Sequence, residues 1–415
     1  MSDQGTGTLL TGVRVIDLTW ALSGPFCTLL LAGLGADVIK VENPAGPDSS
    51  RDNAPFLGRD GFSLLRNHDD DMSLGHIVRS RGKRAVTLNL KHPRGREVFA
   101  DLVRSADIVV ENFSRGTLDR LGVGYAWGAA INPRVVYCSI TGFGADGLPG
   151  TGKAMDVVIQ ALSGLMLASG DQDDPPIRSG VPLGDLTAPL FAVIGILAAL
   201  RQADQTGRGQ QLDVSMLGAL TALVGAEPFD AMERCGVPVR TGQKMTRLVP
   251  FGIFRTADGF VTLTAPTDRQ IEGVLSVMGR LELLQDERFR TRDRRVANAR
   301  ALEEVVEAWT STLTTAAVVA LLDGVGVPAA EVREPREAVR DARVVQRGET
   351  VPLRHPEYRQ TDEVYGTGLP IHFSDAAAGF TRPAPWVGQH NDDVYGEVLG
   401  YSPETVAQLR ADGVI

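Results

Sequence analysis

The sequence predicts an α/β fold built on a parallel sheet. In the first third of the chain, short apolar strands alternate with helices, and most of the connections between them are short. This order is typical of parallel sheets with right-handed crossovers. The composition agrees, because 43% of the 415 residues are hydrophobic and 22% are charged, which is ordinary for a folded protein and excludes wholesale disorder.

The predicted elements follow one another up to residue 140. Strands are predicted at 14–18, 37–42, 84–90, 107–111 and 134–140, with helices at 25–33 and 93–105. A segment from 43 to about 81 interrupts this alternation without clear periodicity. A loop of that length is usually functional or mobile, and a solvated excursion is the alternative.

The rest of the chain changes character twice. Long apolar helices are predicted at 186–201 and 214–231, a hairpin at 253–263, charged helices across 269–322 and a final helix at 403–411. Composition and period shift near Phe229 and again near Pro328. We therefore predict three segments, 1–228, 229–328 and 329–415, of which the middle one is an inserted small domain.

Charge and cysteine content narrow the function classes. The chain has 42 Lys+Arg against 51 Asp+Glu, a net charge of −9, which disfavours a nucleic-acid partner. Three widely spaced cysteines fit no disulfide or metal framework and suit a reducing compartment. Met1–Leu10 lacks a secretion signal, and the apolar run 188–200 is shorter than the roughly 20 residues of a membrane span. A cytoplasmic protein without membrane contact is expected.

Several familiar catalytic arrangements are missing from the sequence. A strand, helix and strand ending at Glu42 suit a dinucleotide-binding fold, but the first turn, 19–25, has a single glycine where that fold needs several. The six histidines form no metal-ligand spacing, and no serine-nucleophile motif occurs. No metal is therefore expected.

What remains is a carboxylate beside glycines. Asp185 stands where the glycine-rich segment 179–184 enters an apolar helix. Its simplest interpretation is an N-cap that accepts a backbone N–H. The functional interpretation is an ionised, approachable carboxylate at a helix N-terminus, which can act as a covalent nucleophile. Asp156 is a second candidate, with a helix-start cap as its simpler interpretation.

Motifs along nearly the whole chain carry a family resemblance. They are LTGVRVIDL at 10–18, SGP at 23–25, LGADVIKVENP at 34–44, RGKR at 81–84, VENFSRG at 110–116, TGFG at 141–144, GD at 184–185 and APWVGQH at 384–390. Together they resemble the class III CoA-transferases of the CaiB/BaiF type. The resemblance implies a Rossmann-like large domain built from both chain ends, an inserted small α+β domain and an interlocked, ring-like homodimer.

The same resemblance implies the chemistry. Coenzyme A and its acyl thioesters are substrates, no cofactor is tightly bound, and a free carboxylic acid receives the CoA. By motif position Asp185 is the nucleophile, passing through a mixed anhydride and an aspartyl-CoA thioester. Backbone N–H groups of a glycine-rich segment are expected to stabilise the oxyanions. The glycine run of formyl-CoA transferases is absent, and 249–252 stands in its region.

Four positions match CoA-binding positions of the family, and a fifth residue is expected to assist them. Leu88 and Asn112 fall in the adenine–ribose and pantetheine neighbourhood. Arg120 and Lys153 fall where phosphate or the bound chain is held, and Lys91 is expected to assist, since cations suit the three phosphates of CoA. Without the family, Leu88 is interpreted as a core strand residue, Arg120 as a helix-end salt bridge and Lys153 as a solvated loop lysine.

The acid substrate is less well defined. Arg51 matches a family position near the acyl pocket, and Arg66 and His68 lie near it in sequence. Such cations favour a short dicarboxylate, for example succinate, oxalate or a C4–C5 acid. Two other functions stay open: an acyl-CoA racemase or epimerase, disfavoured because its histidine falls on Met155, and a catalytically silent CoA-binding subunit, disfavoured by the Gly184–Asp185 pair. Donor and acceptor, the order of product release, and transfer within or between molecules remain open.

Overall fold

The computed structural model describes residues 8–145, 147, 153–245, 247–358 and 364–415. By internal packing the chain divides into two compact units. The first unit takes Met1–Ser163, Ser179–Leu223 and Val339–Ile415, and so draws on both ends of the chain. The second unit takes Gly164–Arg178 and Val224–Ala338.

The strands are short, and those of the central sheet are largely buried. In chain order they are β1 (Arg14–Asp17), β2 (Asp37–Glu42), β3 (Phe56–Gly58), β4 (Gly61–Ser63), β5 (Met72–Ser73), β6 (Lys83–Thr87), β7 (Ile108–Glu111), β8 (Val136–Thr141), β9 (Gln211–Ser215), β10 (Phe251–Arg255), β11 (Phe260–Thr264), β12 (Ala329–Glu331), β13 (Thr350–Pro352) and β14 (Tyr365–Thr367).

The helices range from single turns to one of 24 residues. In chain order they are α1 (Ser23–Gly33), α2 (Leu74–Ser80), α3 (Pro93–Arg104), α4 (Thr117–Arg120), α5 (Tyr125–Ile131), α6 (Asp156–Leu162), α7 (Leu183–Thr206), α8 (Met216–Val224), α9 (Phe229–Arg234), α10 (Asp268–Val277), α11 (Arg292–Ala297), α12 (Ala299–Thr310), α13 (Thr315–Asp323), α14 (Pro335–Ala338), α15 (Ala342–Gln346), α16 (Asn391–Asp393) and α17 (Pro403–Ala411). Shorter 3₁₀ turns lie at Ser49–Asp52, Leu165–Leu167 and Leu281–Gln285.

Six parallel strands form the central sheet of the first unit, in the order β6-β2-β1-β7-β8-β9. Helices α1, α2, α3, α5 and α7 lie in the five crossovers that parallel pairing requires. The predicted parallel α/β architecture is confirmed. The order reverses between β1 and β7, and open α/β sheets bind their ligands beyond the carboxyl ends of the strands at such a reversal.

Strand β9 is the element that the sequence pattern misassigned. A helix was expected over 214–231, but Gln211–Ser215 pairs in parallel with β8, and helix α8 begins only at Met216. A second break at Pro228 separates α8 from α9. Residues 211–215 form a strand because β8 offers them a free edge. Their side chains alternate between polar and apolar, and their backbone pairs with that edge.

Two helical layers cover the central sheet. One face packs on α3 and α17 through a cluster that includes Ile16, Ile39, Val86, Val109, Phe99, Leu102, Val406 and Leu409. The other face packs on α1, which contacts α7 along its length. The C-terminal helix predicted at 403–411 is thus confirmed, and it returns the chain's end to the sheet formed by its beginning.

The segment 43–81 is structured despite its lack of periodicity. Strands β3, β4 and β5 form a small antiparallel sheet, and helix α2 follows. Buried Leu57, Met72 and Ile77 pack with Leu353 and Ala384 from the C-terminal part of the chain. The interpretation of this segment as a solvated excursion is therefore wrong, because long-range apolar packing anchors it.

The second unit has its own antiparallel sheet and core. Strands β10, β11 and β12 pair in that order, and the predicted hairpin is confirmed, with Thr256 N–H donating to Gly259 O at 3.0 Å across its turn. Helices α10 to α13 close a core that includes Phe254, Leu263, Leu275, Leu302 and Val318.

Helix α7 carries the longest apolar sequence. Among the described residues it is the one helix that by itself is long and apolar enough to cross a membrane. It packs on α1 and along β8 and β9. Core helices of soluble proteins share both properties.

Candidate active site

Asp185, the predicted nucleophile, lies in the first turn of α7. The helix begins at Leu183, so Asp185 is its third residue and not its N-cap, and the capping position, Pro182, offers no side-chain acceptor. The expected N-cap role of Asp185 is therefore wrong. Its carboxylate is half-buried and makes no hydrogen bond or ion pair within the described part of the chain.

Asp156, at the start of α6, takes over the capping of α7. Its Oδ1 accepts the Gly184 backbone N–H at 2.8 Å, which satisfies one of the helix's unpaired donors. A Cβ on residue 184 would lie 2.9 Å from Ile159 Cγ2, so only glycine lets α6 approach this closely. A second carboxylate thus binds the backbone immediately before the predicted nucleophile.

Gln160 holds the segment that leads into α7. Its side chain is fully buried, and its Nε2 donates to Asp156 Oδ2 at 2.7 Å and to Val181 O at 3.3 Å. Its Oε1 accepts the Ser179 N–H at 2.9 Å. One amide therefore ties the glycine-rich segment 179–184 to α6, which fixes the position of the first turn of α7.

Burial and charge together set the acidity of Asp185. Burial raises the pKa of this carboxyl, the neighbouring Asp156 carboxylate raises it further, and the Arg79 guanidinium lowers it, with a result of about 6. At neutral pH the group is mostly ionised. A partly desolvated carboxylate with no hydrogen-bond donor on it is a better nucleophile than one in water.

The loop between β1 and α1 is held in place by side chains from several elements. Thr19 N–H and Oγ1 donate to Asp17 Oδ1 at 2.9 and 2.5 Å, and Trp20 exchanges two backbone hydrogen bonds of 2.9 Å with the Asn112 side chain. Ala21 adopts a φ of +62° and donates its N–H to Asp48 Oδ1 at 2.9 Å. Side chains thus hold the turn that glycines supply in dinucleotide-binding folds.

Two buried ion pairs stabilise the backbone of this loop. Lys40 Nζ lies 2.8 Å from Asp48 Oδ2 and donates to Thr19 O at 2.7 Å, while Lys83 Nζ lies 2.9 Å from Asp17 Oδ2. All four charged groups are almost completely shielded from solvent. The two ion pairs therefore act as one network that fixes the loop's backbone.

A cavity of about 310 Å³ opens beside this loop. It lies at the carboxyl ends of β1, β2, β6 and β7, and therefore at the reversal of strand order. Its lining is mixed, with apolar side chains and a few polar groups, among them Leu18, Trp20, Leu88, Phe113, Asp48 and Lys91. Sites for nucleotide-like ligands commonly have this character.

The predicted CoA-binding residues lie around this cavity to different degrees. Leu88 and Lys91 line it. Leu88 is buried and directly follows β6, whereas Lys91 is exposed. Asn112 braces Trp20 of its wall. Arg120, exposed at the end of α4, donates to Thr117 Oγ1 at 3.0 Å, and Thr117 lines the cavity. Lys153 is exposed, and residues 148–152 before it lie outside the described residues.

The three predicted substrate-binding cations already have partners. Arg51 forms a bidentate pair with Glu42 at 2.7 and 2.8 Å. Arg66 pairs with Asp52 at 2.9 Å, and His68 Nε2 lies 2.6 Å from Asp60 Oδ2. The charges of Arg51 and Arg66 are therefore balanced within the protein, the His68 ring also has a partner, and substrate binding by all three residues remains a prediction.

The remaining predicted positions lie on separate elements. Val249 belongs to the core of the second unit, and Gly252 stands in β10 with a φ of +150°. Met155 precedes α6 with its side chain 73% exposed, and its thioether cannot exchange a proton. Among the described residues, no three His, Cys, Asp or Glu side chains form a group that could hold a metal.

Sequence reasoning missed two residues near Asp185. Gln160 gave no signal, because one glutamine on a short apolar helix is ordinary. Arg79 sits in a segment without periodicity, so nothing in the sequence directed it inward. The pKa relation between Arg79 and Asp185 arises only after the chain folds.

Comparison with known proteins places these observations in a family. A sequence profile of CoA-transferase family III matches residues 10–391. The chain is 31% identical over 407 residues to mouse succinyl-CoA:glutarate CoA-transferase, covering 98% of this chain and 90% of the mouse protein. It is 35% identical over 427 residues to formyl-CoA:oxalate CoA-transferase of Streptomyces avermitilis, covering 98% and 99%.

Two further similarities agree with these. Succinyl-CoA:mesaconate CoA-transferase of Haloarcula marismortui is 34% identical over 397 residues, covering 94% of this chain and 96% of that protein. The crystal structure of a CaiB/BaiF family protein from Brucella suis superposes with a TM-score of 0.81 at 32% identity. That match covers 94% of this chain and all of the Brucella chain.

Proposed function

The chain belongs to CoA-transferase family III and is an acyl-CoA:carboxylate CoA-transferase, and we propose that Asp185 is the nucleophile of the transfer. The observation that carries this proposal is the carboxylate itself. It is half-buried in the first turn of α7, it has no hydrogen-bond or ion-pair partner among the described residues, and its pKa is raised to about 6. Structural carboxylates of comparable burial are normally paired.

The first half of the reaction loads the enzyme. The Asp185 carboxylate attacks the thioester carbonyl of the donor, the carbon–sulfur bond breaks, and CoA leaves as a thiolate while an acyl–aspartyl anhydride forms. The thiolate then attacks the Asp185 carbonyl of that anhydride. The donor's carboxylate leaves, and CoA stays bound as an aspartyl thioester.

The second half repeats these steps with the acceptor. The acceptor carboxylate attacks the Asp185 carbonyl, the thiolate leaves, and a second anhydride forms. Thiolate attack on the acceptor's acyl carbon releases the new acyl-CoA and restores the Asp185 carboxylate. No proton is consumed overall, so the chain needs oxyanion donors but no general base, and the position of those donors remains a prediction.

We assign the cavity at the strand-order reversal to the nucleotide end of CoA. Leu88 supplies an apolar wall for the adenine, and Asn112 fixes the loop over which the pantetheine passes. Lys91, Arg120 and Lys153 supply positive charge for the phosphates. CoA is a substrate in this scheme, and no tightly bound cofactor takes part.

A short dicarboxylic acid is the proposed acid substrate. The names of the relatives above include glutarate, oxalate and mesaconate, and succinyl-CoA is the donor in two of them. These are dicarboxylates or their thioesters. The proposal therefore covers the class of short dicarboxylic acids.

We also propose an interlocked homodimer with the second unit as an inserted small domain. Helices α6 and α7 expose Val157, Val158, Leu162, Leu190, Phe191 and Ile194. A single chain would leave this apolar surface to water, whereas a second copy would cover it. The proposed location is the cytoplasm, where a reducing environment suits the free thiols of Cys27 and Cys138.

The racemase alternative is not favoured. It needs a proton-transferring partner for the aspartate, and the position that matches its histidine is Met155, which is exposed and cannot take a proton. The silent-subunit alternative fails to explain why the Gly184–Asp185 pair and its Asp156 cap are intact.

Mass spectrometry after incubation with formyl-, acetyl-, succinyl- and a branched acyl-CoA, followed by hydroxylamine, tests the assignment. We expect a hydroxamate on Asp185 with some donors, and neither adduct nor transfer in Asp185→Ala. Asp204→Ala, an exposed carboxylate on the same helix, is the matched control and should retain both. An adduct on another residue, or transfer by a folded Asp185→Ala protein, would remove Asp185 from the mechanism.

A further inference from the structure

A second, larger cavity lies at the opposite edge of the central sheet from the cavity assigned to CoA. Its volume is about 780 Å³, and its lining comes from Arg81 and from segments within 347–354 and 368–383, all in the first unit. Arg81 lies two residues before the first residue of β6, so this cavity opens at the amino end of that strand. The cavity assigned to CoA opens at the carboxyl ends of the parallel strands. The larger cavity therefore has no part in the transfer scheme, although its volume is that of a small-molecule site.

The charged side chains that line this cavity are of one sign. No Asp or Glu lines it among the described residues. The basic side chains in its lining are Arg81, Arg347, Arg354, His372 and Arg382. Arg347 is offset by Glu349, whose Oε1 lies 2.5 Å from its Nε, but the side chains of Arg354 and Arg382 make no hydrogen bond or ion pair within the described part of the chain. In a protein of net charge −9, a cavity lined in this way attracts anions.

Arg81 is the buried member of this basic set. Only 7% of the residue is exposed, yet its hydrogen bonds go to neutral acceptors. Nη2 donates to Thr367 O at 2.5 Å, and Nε and Nη2 both donate to Val78 O at 3.3 Å. The guanidinium carbon lies 4.7 Å from the centre of the Phe380 ring. Nη1 makes no hydrogen bond to any residue that the structure describes.

The charge of Arg81 therefore has no counter-ion among the described residues. Burial lowers the pKa of its guanidinium to about 10, and no carboxylate opposes that effect. Charged side chains buried to this degree are normally paired, because removing a charge from water is costly. An anion bound in the cavity would supply the missing partner.

The rest of the lining is largely apolar. Leu369, Ile371, Phe373 and Phe380 contribute large side chains to it. Leu369 is buried in a cluster with Leu30 of α1, which fixes this wall to the core of the unit, whereas Ile371 is 49% exposed. A ligand that fills the cavity therefore needs an apolar part as well as negative charge.

We propose that this cavity binds an amphipathic dianion, a phosphate monoester with an apolar body, and that Arg81 is its anchoring cation. Several arginines without carboxylates exceed what a monocarboxylate neutralises, whereas a phosphate monoester carries nearly two negative charges at neutral pH. The free Nη1 of Arg81 donates to a phosphate oxygen, Arg354 and Arg382 balance the remaining charge, and the apolar wall holds the organic part. The inference is independent of the role proposed for Asp185.

Calorimetric titration of the 415-residue chain with hexyl phosphate tests the proposal. The titration is made with and without saturating CoA, so that the smaller cavity is filled in one arm. We expect one site per chain that persists in the presence of CoA. Hexan-1-ol, which lacks the charge, and inorganic phosphate, which lacks the apolar part, should each bind at least about 10-fold more weakly.

Variants of the basic side chains test the anchor. Arg81→Gln should weaken the binding of hexyl phosphate at least about 30-fold, because it removes one partner of a buried charge pair. Arg382→Gln should weaken it by less than about 5-fold, because its side chain is exposed. Arg104→Gln, an exposed arginine on α3, is the control for loss of one positive charge and should bind as wild type does.

A second pair of variants leaves Arg81 in place, because its hydrogen bonds also tie Thr367 to α2. Ile371→Glu adds a carboxylate at an exposed position of the apolar wall, and Ile371→Gln adds a side chain of the same size without the charge. We expect Ile371→Glu to bind hexyl phosphate at least about 10-fold more weakly than Ile371→Gln does. Equal affinities of these two variants would overturn the inference.

Three further outcomes would also overturn it. A site that disappears when CoA is added belongs to CoA binding. Inorganic phosphate that binds as tightly as hexyl phosphate shows an adventitious ion only. No binding by wild type shows that the cavity takes no such anion, which is also the result expected if a second copy of the chain fills it.

Discussion

Two of the places where the first unit shields charge from solvent use that charge in opposite ways. Beneath the β1–α1 loop, Asp17 pairs with Lys83 and Lys40 pairs with Asp48, each within 3 Å and each shielded from solvent. At the start of α7, the Asp185 carboxylate is half-buried and has no ion pair among the residues that the structure describes. Burial costs free energy in both places, but only the first set recovers it inside the protein.

Paired buried charges of this kind hold the backbone, whereas under the proposed function an unpaired one is left for a ligand. The paired set fixes Thr19 and Ala21, and with them one wall of the cavity. The Asp185 carboxylate holds no backbone group among the described residues. An unsatisfied buried group in a folded protein needs an explanation, and a substrate that completes it is the one that this family's chemistry supplies.

The largest expected effect comes from removing one charge at each place. Asp17→Asn leaves the fully buried Lys83 ammonium without its carboxylate, so we expect a loss of about 3–5 kcal/mol in the free energy of unfolding. Asp185→Asn removes an unpaired carboxylate, so we expect stability to be retained or increased while transfer is lost. Urea unfolding at neutral pH, with a transfer assay on the same preparations, measures both.

Asp204→Asn is the control for this pair, since its carboxylate is exposed and its ion pair with Arg134 lies at the surface. We expect it to change stability by less than about 0.5 kcal/mol. Equal destabilisation by Asp17→Asn and Asp185→Asn would contradict the comparison, because it would show that Asp185 is also a structural carboxylate.

The pH dependence of stability should differ in sign between the two places. Burial and Asp156 raise the pKa of Asp185 from 3.8 to about 6. Its contribution to stability is therefore fully present below about pH 3.8 and is lost as the pH rises through about 6. Burial opposes ionisation of Asp17, but Lys83 and Lys40 outweigh it and lower its pKa. Asp17 therefore contributes stability above pH 3.8 and loses it as the pH falls through its lowered pKa.

Unfolding of wild type and Asp185→Asn between about pH 4.5 and pH 7.5 tests this sign. We expect the free energy of unfolding of the variant to rise by about 2 kcal/mol relative to that of wild type across that interval, because wild type must ionise a partly buried carboxyl. Transfer by wild type should rise over the same interval as the nucleophile ionises. A stability difference that stays constant with pH would show that the pKa of Asp185 is ordinary.

The sequence predicted the paired region better than the unpaired one. Apolar periodicity located five of the six central strands, since each strand is a local run of buried residues. The motif resemblance selected Asp185. Strand β9 was missed because its partner, the edge of β8, is distant in sequence. Helix periodicity then extended wrongly across 214–231.

The neighbours of Asp185 lay beyond sequence reasoning for a related reason. The sequence pattern indicates that Asp156 caps its own helix, but its side chain caps α7, which begins 27 residues later. Arg79 comes from a segment whose fold depends on packing against Leu353 and Ala384. Contacts of this separation are set by tertiary structure, and no local pattern encodes them.

The smallest expected effects come from Asp156 and Gln160, the two residues that hold the first turn of α7. Variants of the two should affect different properties of the enzyme. Asp156→Asn keeps an oxygen for the Gly184 N–H but removes the like charge, so the pKa of Asp185 should fall. We expect the acidic limb of kcat/KM to move down by about half a pH unit. Gln160→Leu keeps the charge of Asp156 but releases Ser179 and Val181, so it should lower kcat without moving that limb. If the limb stays in place in Asp156→Asn as well, burial alone sets the acidity of the nucleophile, and Asp156 serves only as the cap of α7.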